Sequence, residues 1–220
     1  MLDADGLAAL IYRAAGTEPW EPENPVHLAR NLFGPDAVRV LPTRLMPFSR
    51  AMLVPIKKSH RIFVRADVPA REMAHHVAHE LGHWILARSP FRVDPATLEL
   101  AADAIGAAVV APRTAFLRAF ALFGPDLHDH GVRAAYADAF ATTETLVTLR
   151  FGELSRQPVA VVHDGPHAPI VRATPRDAWP ASGTIMRWAG VPPTGIVKAR
   201  IRDEPRWALF RGPGVVGLVA

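Results

Sequence analysis

Residues 79–83 read His-Glu-Leu-Gly-His, and two histidines four positions apart constrain the local fold strongly. On an α-helix, side chains at i and i+4 lie on one face about one turn apart, so the imidazoles of His79 and His83 can bind a single ion. Glu80, on the adjoining flank, can reach a water in the open coordination position of that ion. The spacing therefore predicts a helix that carries a zinc site, with Glu80 as the general base.

The flanking sequence favours a helix around this motif. Apolar residues recur at helical spacing on both sides of it, and Ser89-Pro90 supplies a stop signal. His75 extends the histidine series by one more step of four residues. A straight helix rises about 12 Å between His75 and His83, which is too far for three such residues to surround one tetrahedral ion easily. We therefore interpret His75 and His76 as surface or supporting residues.

A third ligand must come from another segment, and the next predicted helix offers one. The helix is predicted from Asp94-Pro95, a cap followed by proline at the first helical position, to Ala111. Glu99 and Asp103 share one face of it. Glu99 can complete a His-His-Glu site, and Asp103 can accept a hydrogen bond from the ring nitrogen of a ligating histidine. The alanines of this segment and Gly106 would allow close approach to the first helix. The alternative is that both acids are simply solvated.

These two segments resemble the ImmA/IrrE-type zinc metallopeptidases of bacteria and their phages. Residues 71–86 look like the metal helix of that family, and residues 99–112 are similar to its second signature, an acidic pair followed by apolar residues and a closing proline. Residues 136–151 resemble its closing helix-turn-helix-like segment. The resemblance spans about residues 24–156. It implies a peptidase with one zinc ion whose protein substrate is often a helix-turn-helix transcriptional repressor, cleaved in a stress or mobile-element response.

Composition and patterning agree with an α+β fold. Hydrophobic residues make up 50% of the 220 residues, which is enough to bury a core. With the resemblance, we predict a zincin-like helical metallopeptidase core with a small β-sheet and the helix-turn-helix-like segment over residues 23–156. A helix and linker at residues 1–22 precede it. Apolar β-branched runs separated by turn signals, such as residues 159–162 and 215–219, predict a β-rich C-terminal module over residues 157–220.

The sequence also argues against several other classes of protein. It contains no cysteine, so disulfides, Cys-type zinc fingers and thiol nucleophiles are excluded. The N-terminus lacks the basic region of a signal peptide and no apolar run reaches the length of a membrane span, which predicts a cytoplasmic protein without a membrane partner. The net charge of +4 is spread along the chain, so direct nucleic-acid binding is not indicated.

Two alternatives to a peptidase stay open at this point. A regulatory or scaffold protein would keep the fold and bind partners without cutting them, but such a protein has no need of a general base at Glu80. A DNA-binding regulator that uses residues 132–154 would need a basic recognition helix, and Arg150 alone is thin support for one.

Overall fold

The structure, a computed structural model, describes residues 3–90, 93–124, 126, 127 and 129–155, followed by the backbone of five strands. These described residues form seven α-helices. In chain order the helices are α1 (Ala4–Ala14), α2 (Pro25–Phe33), α3 (Ala70–Leu86), α4 (Pro95–Val110), α5 (Arg113–Phe123), α6 (His130–Ala139) and α7 (Glu144–Ser155). The α3 and α4 helices are the two that the sequence predicts around the histidine motif and the acidic pair.

Eight strands lie among the described residues and form two sheets. They are β1 (Val38–Leu41), β2 (Ala51–Ile56), β3 (Ser59–Arg65), β4 (Val159–His163), β5 (Ile170–Thr174), β6 (Val197–Ala199), β7 (Trp207–Gly212) and β8 (Val215–Val219). The first three form a small sheet in the order β1-β3-β2, in which β1 is parallel and β2 antiparallel to β3. The last five are antiparallel in the order β5-β4-β8-β7-β6. The predicted α+β class is confirmed.

The chain divides into two compact units. The first comprises residues 1–124 and 136–143, and the second comprises residues 125–135 and 144–220. Every residue that the sequence assigns to the metal site lies in the first unit. The predicted domain boundary at residues 156–157, and a separate role for the strands beyond it, stay predictions.

Helix α1 is held by a cap at its start and by a tyrosine near its end. The carboxylate of Asp3 accepts a hydrogen bond from the backbone N–H of Gly6 at 2.9 Å, which satisfies a donor that the helix itself cannot pair. The Tyr12 hydroxyl donates to the carbonyl of Val109 at 2.8 Å and so joins α1 to α4 in the core. Burial raises the pKa of Tyr12 to about 12, so the hydroxyl keeps the proton that this bond requires.

Helix α3 is the central element of the first unit. It packs against α1, α2 and α4 and contacts β2 and β3 of the small sheet. Its apolar side chains Val77, Ala78 and Leu81 have no solvent exposure. Because burial of apolar surface contributes roughly 25 cal/mol per Å², this face holds in place a helix whose other face carries histidines. The packing therefore decides where the motif points.

One helix pair has the length and composition of a membrane span, although no single described helix does. The pair is Thr97–Val110 with Arg113–Phe123, bent by 57° at the break. Ala102, Ile105 and Val109 in its first half are completely buried inside the first unit.

Candidate metal centre

Helices α3 and α4 bring the side chains of His79, His83 and Glu99 together. The Nε2 atoms of the two histidines are 3.0 Å apart. Glu99 Oε2 lies 3.3 Å from His79 Nε2, and Glu99 Oε1 lies 3.4 Å from His83 Nε2. Ligand atoms about 2.0–2.1 Å from a common tetrahedral zinc ion are separated by about 3.3–3.4 Å. The three side chains therefore offer donor atoms whose chemistry and spacing fit such an ion.

The two histidines and the carboxylate differ in how firmly they are held. The side chains of His79 and His83 are 16% and 22% exposed, whereas that of Glu99 is 72% exposed. The side chains of the histidines are thus packed inside the first unit, and that of Glu99 stands at the rim of the site. All three line a cleft of about 710 Å³. The remaining walls are largely apolar and include Ala51, Met52, Leu53, Leu86, Val93 and Leu98.

Asp103 lies directly behind His79. Its Oδ1 is 2.8 Å from His79 Nδ1, so in the tautomer protonated at Nδ1 the ring donates to Asp103 and turns the lone pair of Nε2 toward Glu99. Burial alone would lower the pKa of His79. The hydrogen bond and charge of Asp103, with the charges of Glu80 and Glu99, outweigh it and raise the pKa. The ring of His79 is therefore oriented by Asp103 and made more basic.

The other two histidines of α3 pair with acids other than Glu99. The group formed by His79, His83 and Glu99 is called the three-residue group below. His75 Nε2 is 3.8 Å from Asp103 Oδ1, and His76 Nε2 is 3.8 Å from Glu72 Oε2. The ligand atoms that converge among the described residues are those of His79, His83 and Glu99. His75 thus faces the same carboxylate that orients His79.

Glu80 is buried beside the three-residue group. It is 7% exposed, and its Oε2 accepts a hydrogen bond from the backbone N–H of Leu53 in β2 at 2.8 Å. Burial raises the pKa of Glu80, against the opposing effects of His79, His83 and this N–H. A raised pKa brings a carboxylate closer to the range useful to a general base. Leu53 is not among the residues that the sequence predicts for the site. The signal available in the sequence was Pro55, because a proline within a strand marks a sheet edge.

Two glycines, one on each helix, let α3 and α4 approach each other closely beside His79. A Cβ at Gly106 would lie 2.9 Å from the backbone nitrogen of His79, and a Cβ at Gly82 would lie 2.7 Å from the carbonyl oxygen of Ala102. Real Cβ atoms essentially never come this close to backbone atoms. The close contact at Gly106 therefore fixes how far Glu99, two turns earlier on α4, stands from the histidines.

Gly106→Ala should weaken zinc binding as well as folding. The added methyl group pushes α4 away from α3 at a cost of about 1–3 kcal/mol, the usual range for overpacking, and carries Glu99 with it. Urea unfolding and zinc competition against a chelator measure the two effects. Gly131→Ala is the control, since its Cβ would meet the carboxylate of Asp129 at 3.1 Å, a side chain that can move. A wild-type zinc Kd for Gly106→Ala would show that this approach does not place the ligand.

Asp103→Asn should lower zinc affinity by about 10 to 100-fold, the usual effect of changing a group that orients a ligand. The amide removes the negative charge behind His79 and no longer selects the tautomer protonated at Nδ1. Chelator competition measures the zinc Kd. Asp138→Asn is a suitable control, because Asp138 is 64% exposed and pairs with Arg71 at 2.8 Å. Equal zinc affinities for the two variants would refute the role of Asp103.

The chain resembles known proteins in part of its sequence and in its fold. The model of the Peptidase_M78 family, described as the IrrE N-terminal-like domain, matches residues 37–149, just over half of the chain. No curated protein sequence matches. Among solved structures, a Mycobacterium tuberculosis transcriptional regulator is similar with a TM-score of 0.61 and 15% identity, covering 100% of this chain and 77% of that one. At this identity the likeness is one of fold.

Proposed function

Because the chain belongs to the Peptidase_M78 family of IrrE N-terminal-like domains, we propose that it is a zinc-dependent endopeptidase that hydrolyses a protein. The observation that carries this proposal is the convergence of His79, His83 and Glu99 at ligand spacing. We assign one zinc ion to these three side chains. Buried Glu80, next to them in sequence and in space, is assigned as the general base.

The chemistry follows from what each side chain can do. Zinc, when bound, supplies Lewis-acid chemistry and lowers the pKa of a coordinated water to about 7. Glu80 accepts a proton as the water oxygen attacks the scissile carbonyl carbon, and it returns that proton to the amine nitrogen as the C–N bond breaks. Asp103 keeps the lone pair of His79 Nε2 turned toward the site. Burial leaves Glu80 only 7% exposed, which limits the access of competing water to its carboxylate.

We propose further that the substrate is a DNA-binding repressor of the helix-turn-helix class, cleaved in a stress or mobile-element response. The support is the resemblance carried by residues 71–86 and 99–112. A cleft of about 710 Å³ with apolar walls has room for several side chains of a polypeptide. The strands after residue 157 lie outside the unit that holds the metal centre, and we assign them a sensing or substrate-docking role.

A second candidate is a regulatory protein that binds its partners without proteolysis. The observation that favours it is the fold likeness to a Mycobacterium tuberculosis transcriptional regulator over the whole of this chain. Such a protein would use the zinc centre, if at all, only to hold α3 and α4 together. A protein that does not cleave its partners has no use for the buried carboxylate of Glu80 as a general base. We therefore rank the regulatory protein second.

Metal analysis and a cleavage assay together test the proposed function. The full chain is purified and analysed for bound metals, then incubated with helix-turn-helix repressors encoded beside its gene. We expect one zinc per chain, cleavage that stops when 1,10-phenanthroline removes the metal, and recovery when zinc is added back. Zinc binding without cleavage of any repressor would favour the regulatory protein. A well-folded chain that does not bind zinc would overturn the assignment of the centre.

A further inference from the structure

Strand β2 runs along the cleft of the metal centre at one edge of the small sheet. In the sheet order β1-β3-β2, one side of β2 pairs with β3, and no described strand pairs with the other. Ala51, Met52 and Leu53 of this strand line the cleft. An edge strand has backbone N–H and C=O groups that the sheet does not use, so some of these groups face the site.

The register with β3 identifies which groups these are. The N–H of Arg65 donates to the carbonyl of Arg50 at 2.9 Å, so these two residues form a hydrogen-bonded pair. Because such pairs alternate along an antiparallel ladder, Leu53 opposite Ile62 is in a non-hydrogen-bonded pair. The hydrogen bond of Ile62 is consistent with this register, since its N–H points away from β2 and donates to the carbonyl of Ala37 at 2.7 Å. The N–H of Leu53 is thus not needed by the ladder.

This N–H donates instead to Oε2 of Glu80 at 2.8 Å. We propose that the backbone amide of Leu53 is a positioning group. It holds Oε2 of Glu80 in place, so that Oε1 is the oxygen that accepts the proton from the attacking water. The inference rests on the proposed function and adds to it a role for the sheet edge. A glutamate has several rotatable bonds, and fixing one oxygen against a rigid strand restricts the other to a small volume. The donor is a backbone group, so the identity of the side chain at residue 53 is secondary.

The sequence of β2 itself shows how to remove this donor. Pro55, opposite His60, occupies the next non-hydrogen-bonded position of the strand, where the ladder needs no N–H. Leu53 is also in a non-hydrogen-bonded pair, so the ladder does not need its N–H either. Leu53→Pro therefore deletes the bond to Glu80 and leaves the pairing with β3 intact. Leu53→Ala is the matched control, because it removes the side chain and keeps the amide.

Amide hydrogen exchange on the full-length, zinc-loaded protein tests the contact directly. We expect the Leu53 amide to be protected in the wild type and to lose this protection in Glu80→Ala. The amide of Val54 is the internal control, since Val54 opposite Arg61 is in a hydrogen-bonded pair of the ladder and should exchange alike in both proteins. Unchanged protection of Leu53 in Glu80→Ala would overturn the proposal.

Cleavage kinetics separate positioning from substrate binding. Relative to Leu53→Ala, Leu53→Pro should lose about 10 to 100-fold in kcat with KM and zinc affinity unchanged, as expected for misplacing a catalytic group by about 1 Å. A raised KM at unchanged kcat would mean that the amide binds the substrate backbone, and would refute the proposal. If Leu53→Pro fails to fold, an amide-to-ester replacement at residue 53 removes the same N–H. If the wild type cleaves nothing, the proposed function fails, and the exchange result alone decides whether Leu53 holds Glu80.

Discussion

Glu80→Gln should reduce proteolysis by about 100 to 10,000-fold, the range that a general base contributes, with zinc content close to wild type. The amide has nearly the shape of the carboxylate and keeps an oxygen that can accept the hydrogen bond from Leu53. It cannot accept the proton that the attacking water must lose. Since Glu80 is not one of the three converging ligand residues, the zinc centre should persist. The cleavage rate and the zinc content, measured on one preparation, check both parts.

The stability of Glu80→Gln distinguishes lost chemistry from lost folding. Burial raises the pKa of Glu80, which means that the charged form is penalised in the folded protein. A neutral amide avoids this penalty, so without zinc the variant should be at least as stable toward urea as the zinc-free wild type. Glu21→Gln, at an exposed position, serves as the control. Cleavage by Glu80→Gln at the wild-type rate would show that another group is the base.

The helix face that carries the two histidines is a local property of the sequence and could be predicted from it. The i, i+4 spacing of His79 and His83 gives one helix face regardless of the rest of the fold. Apolar spacing and proline signals predict α3 and α4, and the structure places them at Ala70–Leu86 and Pro95–Val110. Apolar residues bounded by turn signals likewise predict a strand at residues 51–56, and the structure places β2 at Ala51–Ile56.

The contacts between elements required the structure. Glu99 could be named as a candidate ligand only on the assumption that α3 and α4 pack together, and the close approach at Gly106 depends on where the two helices cross. The hydrogen bond from Leu53 to Glu80 joins residues 27 positions apart in the sequence. Its donor is a backbone N–H, which every residue except proline has, so no sequence motif can reveal it. It also depends on the sheet order and register, which are set by long-range pairing. Such contacts follow from tertiary packing.

Glu99→Ala should lower zinc affinity by at least about 100-fold, more than the usual effect of changing a group that only orients a ligand, because it removes one of the three proposed protein ligands. At a free zinc concentration about 100 times the wild-type Kd, binding stabilises the wild type by about 2.7 kcal/mol, and a 100-fold weaker Kd reduces this to about 0.4 kcal/mol. Urea unfolding with and without zinc measures the difference. Elemental analysis after dialysis against a weak chelator should show wild-type protein loaded and Glu99→Ala largely empty.

The exposure of Glu99 makes this experiment easy to interpret. Its side chain is 72% exposed, so without zinc the loss of its contacts with His79 and His83 should change stability by no more than about 1 kcal/mol, the range for an exposed ion pair. Glu21→Ala, at an exposed position, is the matched control. Equal zinc content in Glu99→Ala and wild type would indicate a different third ligand. The first candidates are then His75, already 3.8 Å from Asp103, and Asp94 at the start of α4, and each can be removed in the Glu99→Ala background.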